Sequence, residues 1–169
     1  MDELFRKDIF HKLQYCYFFV SWLFGLLFGI WFANAFSDNF SSLMRGMLNA
    51  SVSIVGLLVV VLFPLLISVF CLFSYRPLIF LLLSFAEALS FGFIGSLIMM
   101  NVSSGRWFIL LLIFVPNLPI YAMLIHRWYS MITYKQRSMW TECYTSAIVG
   151  IIVVGIHYLV ISPLLEGLF

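Results

Sequence analysis

The residue that most invites a chemical reading is Glu87, a carboxylate in the middle of an apolar run from Leu78 to Met100 that holds no Lys, Arg or His. A charge at the centre of a bilayer costs about 3 kcal/mol on insertion scales. The carboxyl is therefore either protonated or turned toward polar neighbours or water inside a helix bundle. An intramembrane acid can serve transport; its structural alternatives are an interhelical hydrogen bond and a subunit contact. Asn117 lies between Pro116 and Pro119, each of which removes a backbone donor and frees an upstream carbonyl. A kink is expected there, with Asn117 either satisfying the freed groups or lining a ligand cavity. His157, near the end of the last apolar run, reads as a packing or interfacial residue, or as a pH sensor.

Catalysis requires an activated nucleophile with a base in reach. Cys143 and His126 resemble in outline the pair of an intramembrane cysteine peptidase, but nothing in their spacing fixes a mutual geometry. There is no carboxylate pair and no Gly-rich phosphate loop, so no catalytic residues are assigned and an enzyme is not expected. Cys16, Cys71 and Cys143 are odd in number and lack the short paired spacings of zinc sites, so neither metal nor cofactor is expected.

These residues stand in a chain that is 64% hydrophobic and 9% charged, whereas a soluble domain is typically about a quarter charged. Such a sequence cannot supply a polar shell, so lipid must be the shell. Crossing roughly 30 Å of hydrocarbon takes about 20 apolar residues in a helix. Five segments qualify: Tyr15 to Phe36, Val52 to Phe73, Leu78 to Met100, Trp107 to Ile125 and Cys143 to Ile161. A transmembrane barrel would alternate polar and apolar residues, which these runs do not. The fold class read from the sequence is all-α, a polytopic integral membrane protein of about five transmembrane helices in a single domain over residues 1–169.

Orientation follows from the basic residues. Arg6, Lys7, Lys12, Arg76, Arg127, Lys135 and Arg137 fall on one side, and Arg45 and Arg106 on the other. The positive-inside rule then predicts that the N terminus is cytoplasmic and the C terminus outside. All three cysteines fall at cytoplasmic span ends, where disulfides are not expected. The net charge of +2 carries no long basic run, so nucleic acid is not an expected partner.

Between the first two spans, residues 38–49 carry Phe40, Leu43, Met44, Met47 and Leu48 at the i, i+3, i+4, i+7, i+8 spacing of a helix with one apolar face. A short amphipathic outer helix is expected, either a membrane anchor or a docking surface. The cytoplasmic loop 126–142 places Trp128, Met131 and Ile132 on one helical arc, with Lys135 in the same arc and Arg137 nearby. Its basic residues, Arg127 among them, attract anionic lipid in the plainer reading; the arc and Arg137 meet a cytosolic partner in the sharper one. In the third span Ser84, Ala88, Gly92 and Ser96 recur every four residues, which lets a neighbouring helix approach closely, from within this chain or from a partner.

The sequence PLIFLLLSFAEALSFGFIGSL over Pro77 to Leu97, with Ala88, Gly92 and Ser96 at every fourth place, resembles the stage II sporulation protein M family of small polytopic bacterial membrane proteins. VPNLP at Val115 to Pro119 is similar to the Pro-x-Asn-Leu of that family's fourth span, although Asn117 here follows Pro116 directly. Leu48-Asn49 and Ser162-Pro163-Leu164 also fit, and Glu87 stands where a basic residue is found in the family. The resemblance implies a non-enzymatic scaffold or assembly subunit, acting in engulfment during sporulation with peptidoglycan-degrading partners. The alternative from the residues alone is a permease-like transporter subunit, driven by a cytosolic ATPase. Expected partners are thus the lipid bilayer, other membrane proteins, an ATPase or a cell-wall hydrolase complex, and a homo-oligomer is open.

Overall fold

A computed structural model describes residues 2–36, 53–101, 108–133 and 137–166, and these are all-helical. Five long helices run in order: α1 (Asp2–Ala35), α2 (Ile54–Ser74), α3 (Pro77–Asn101), α4 (Phe108–Ile132) and α5 (Met139–Ile156). A π-helical stretch over His157–Ile161 leads from α5 into the short α6 (Ser162–Glu166). Among the described residues, Leu13–Ala35, Ile54–Ser74, Pro77–Met100 and Met139–Leu164 are each long and apolar enough to cross a membrane. Their outward faces are apolar: Phe24, Val60, Phe63, Leu78 and Leu159 are all more than half exposed. Lipid is the environment in which such faces carry no cost.

Side-chain contacts fix the helix directions. Ser21 on α1 donates to the Leu81 carbonyl of α3, while further along α1 Phe32 packs against Phe93, so the two helices run parallel. α4 runs against them, since Trp128 meets Phe18 and Phe80 at one end and Phe114 meets Phe91 toward the other. The connection between α2 and α3 is tight. Tyr75 takes a left-handed conformation, φ 45°, and the Arg76 N–H returns to the Cys71 carbonyl at 3.0 Å. Pro77 then opens α3 at the first helical position, where a missing N–H costs nothing.

Two helix pairs form the body of the fold. In the first, α1 lies on α3 so closely that a Cβ at Gly29 would sit 2.2 Å from the Leu89 carbonyl oxygen, and one at Gly92 2.3 Å from that of Leu26. Glycine is required at both places because backbone faces backbone. In the second pair α5 lies on α2, where a Cβ at Gly150 would meet the Leu62 side chain. α4 packs against both pairs, and Leu65, Phe80, Leu124 and Val153 form the buried centre.

Several expectations need correction or replacement. Residues 126–142 are not one loop: α4 continues to Ile132 and α5 begins at Met139, leaving only a short connection. Trp128, Met131 and Ile132 do lie on one helical face, but that face is buried at 4%, 3% and 4% exposure. They cover the core and are not available to a partner. The reason is that an amphipathic arc specifies burial, not what buries it. Pro116 and Pro119, where the sequence predicts a kink, both lie inside the single helix α4. Phe40, Leu43, Met44, Met47, Leu48, Lys135 and the amphipathic segment 38–49 lie outside the described residues.

Candidate functional site

Polar side chains gather in two places inside the bundle. The first is at the end where α4 meets α5. Arg127, near the end of α4, is 1% exposed, and all five of its N–H groups find acceptors. Nε donates to Glu142 Oε2 at 3.2 Å, Nη1 to the Leu65 carbonyl at 3.0 Å and to Ser68 Oγ, and Nη2 to the Glu142 carbonyl at 3.2 Å and to Ser146 Oγ. The serine hydroxyls in turn donate to carbonyls, Ser68 to Leu65 and Ser146 to Glu142, each at 2.6 Å. Glu142 Oε1 accepts from Arg137 Nη1 at 2.7 Å. One carboxylate thus lies between two guanidinium groups, and the cluster joins α2, α4 and α5.

The adjacent residue ties in the rest of the bundle. Trp128 Nε1 donates to the Gln14 carbonyl of α1 at 3.1 Å, and its ring packs on Phe18 and on Phe80 of α3, with centroids 5.9 and 5.5 Å away. Arg127 and Trp128 therefore fasten α4 to all four other long helices at a single level. Arg127 is not the lipid-facing cation expected from the sequence, because a guanidinium with every donor matched inside the protein has none left for phosphate. Arg137 keeps a quarter of its side chain exposed while bridging to Glu142.

The second place is a cavity of about 150 Å³ on the seam between the helix pairs, reached by residues of α2, α3 and α4. Glu87 and Ser90 enter it from α3, Asn117 and Tyr121 from α4, and Pro64 from α2. Pro64 has no N–H to return to the Val60 carbonyl one turn earlier, and Val60 also lines the cavity. Asn117 Oδ1 lies 3.4 Å from His157 Nε2, so the π-helical stretch after α5 reaches the rear of the site. Phe91 forms an aromatic corner with Phe114 and Tyr121, at 5.0 and 6.3 Å between centroids. Glu87, Asn117 and His157, chosen separately from the sequence, thus belong to one neighbourhood.

Of the small residues on α3, Ala88 is fully buried and Gly92 meets α1, so the close neighbour is within this chain. Ser84 turns its hydroxyl back to the Leu81 carbonyl at 2.8 Å, and Ser96 faces an apolar groove beside Trp22 and Phe114. Ser68, Arg127, Glu142 and Ser146 were not singled out as a site by the sequence. The available signal was that an acid and two serines inside otherwise apolar helices need partners, with Arg127 the nearest cation along the chain. Compared with family models, with curated proteins and with solved structures, the chain matches none.

Proposed function

We propose that this chain is a non-enzymatic subunit of a multiprotein assembly in a bacterial plasma membrane, acting through helix packing as a scaffold. The observation that carries this reading is the Arg127 cluster. Its charged groups are matched to one another and to backbone carbonyls, so they brace the bundle. In this reading α4 is a fifth span and the cluster lies at the cytoplasmic end, with the C terminus outside. The resemblance of Pro77 to Leu97 and Val115 to Pro119 to the stage II sporulation protein M family supports the same role, with cell-wall hydrolases as partners. The segment 38–49, together with Lys135 and Arg137, supplies contacts on the two sides.

The test is mild-detergent extraction from native membranes, affinity capture of the chain and identification of co-purifying proteins by mass spectrometry. Recovery of the same membrane partners in constant ratio is expected. A chain that emerges alone or only as a homo-oligomer, and that catalyses solute flux in proteoliposomes, would overturn the scaffold reading.

The cavity around Glu87 favours a second reading, a permease-like subunit paired with a cytosolic ATPase. There Glu87→Gln abolishes flux while assembly persists.

A further inference from the structure

The cavity at the seam of the two helix pairs has a composition that neither reading above requires. One carboxyl, Glu87, faces a space whose remaining walls are mostly apolar, and no Lys, Arg or His lines it among the described residues. Among those residues the carboxyl forms no salt bridge, in contrast to Glu142, which forms two. Burying an acid without a cation is costly, and the cost falls when a cation enters beside it.

Three features specify which cation. The rings of Phe91 and Tyr121 line the same cavity as the carboxyl, and aromatic faces attract cations that are poorly hydrated, quaternary ammonium above all. The volume, about 150 Å³, matches that of a cavity able to hold one benzene ring, and so a trimethylammonium-sized group, whereas a bare alkali ion would leave most of it empty. The mouth lies on the apolar outer surface between α2 and α3, since the lining residues Val60 and Ile94 are 69% and 47% exposed. A strongly hydrated inorganic ion gains nothing from such an entrance. An amphiphilic ammonium compound dissolved in the bilayer reaches it directly, its head against Glu87 and its apolar part extending outward.

We propose that this cavity binds a hydrophobic monovalent organic ammonium ion, with Glu87 as its counter-ion and Phe91 and Tyr121 as its aromatic wall. The inference rests on neither functional reading, since a bound amphiphile can be a structural ligand of a scaffold or the cargo of a permease.

The experiment is calorimetric titration of phenyltrimethylammonium into the full chain in lipid nanodiscs, with empty nanodiscs subtracted. Saturable binding at one site per chain is expected, weakened roughly thirtyfold or more by Glu87→Gln, as when one partner of a buried charge pair is removed. Phe91→Leu should weaken it several-fold while leaving Glu87 in place. The neutral isostere tert-butylbenzene should show no saturable binding, and about 0.1 M sodium chloride should not displace the ammonium ion beyond its screening effect. Absence of saturable binding, binding indifferent to Glu87→Gln, or equal competition by sodium would each overturn the proposal. Helicity by circular dichroism shows whether a variant is folded, and Glu87→Met, which also removes the charge and should weaken binding to the same extent, replaces Glu87→Gln should the latter fail to fold.

Discussion

Glu142 and Glu87 are both carboxylates inside apolar helices, yet the fold treats them in opposite ways. Glu142 is 5% exposed and lies between Arg127 and Arg137, in a cluster whose serines and carbonyls complete the hydrogen bonding. Glu87 faces a cavity with Ser90, Asn117 and Tyr121 and, among the described residues, no cation in its walls. The difference teaches where each acid acts. A buried charge with every partner in place cannot change state without loosening the bundle, so it suits a brace. An acid with space in front of it can accept an occupant at little structural cost, so it suits a site.

The largest expected effect is at the brace. Arg127→Ala removes five hydrogen bonds and leaves Glu142 buried with Arg137 alone, a loss of about 3–5 kcal/mol. Unfolding of the purified chain in mixed micelles should shift accordingly, and in cells the variant should be depleted. Arg127→Lys keeps the charge but not the fork, so it should recover only part of the loss. If Arg127→Ala unfolds like the parent, the cluster is not a brace and the contrast with Glu87 disappears.

Next comes the seam within the first helix pair. Gly29→Ala places a Cβ against the Leu89 carbonyl, which is backbone and cannot turn aside, so α1 and α3 must separate at a cost of about 1–3 kcal/mol. Gly150→Ala meets the end of the Leu62 side chain, which can change rotamer, and should cost less. Comparing the two substitutions in the same unfolding assay tests whether the first pair is the more rigid. Equal losses would show that the α2–α5 contact is no more adaptable.

A smaller effect is expected from Trp128→Phe, which keeps a ring near Phe18 and Phe80 but loses the bond to the Gln14 carbonyl, worth about 1 kcal/mol. Hydrogen exchange at the start of α1 should rise more than exchange in α5. Uniform acceleration would mean that Trp128 does not fasten α1 in particular.

The helical runs were legible because continuous apolar residues have few alternatives in a bilayer. The four-residue spacing of Ala88 and Gly92 marked a face for close approach, and the facing Ser21, Gly25, Gly29 and Ala33 on α1 repeat that spacing, so the sequence carried a signal for both sides of the first pair. Arg127 and Glu142 were hidden by their position. A cation at the end of a span reads as a lipid contact, and only the packing of α5 against α4 brings it onto an acid 15 residues away. Packing of α4 into the bundle likewise buries Trp128, Met131 and Ile132. Glu87 was conspicuous alone, but the arrival of Asn117 and Tyr121 in its cavity, with His157 behind Asn117, depends on how the helices pack, which periodicity within each helix does not contain.

The smallest effect has the sign that separates the two acids most sharply. Glu87→Gln is close in shape and removes a group that must otherwise be protonated or hydrated within the bilayer, so with no ligand bound the variant should be unchanged or more stable, by up to about 1 kcal/mol. Glu142→Gln makes the same chemical change where two guanidinium groups depend on the charge, and should be destabilised by about 3 kcal/mol. Paired unfolding curves at one pH measure both. A clear loss of stability in Glu87→Gln would mean that the carboxyl already has a structural partner, and its cavity would then be part of the packing like the cluster around Arg127.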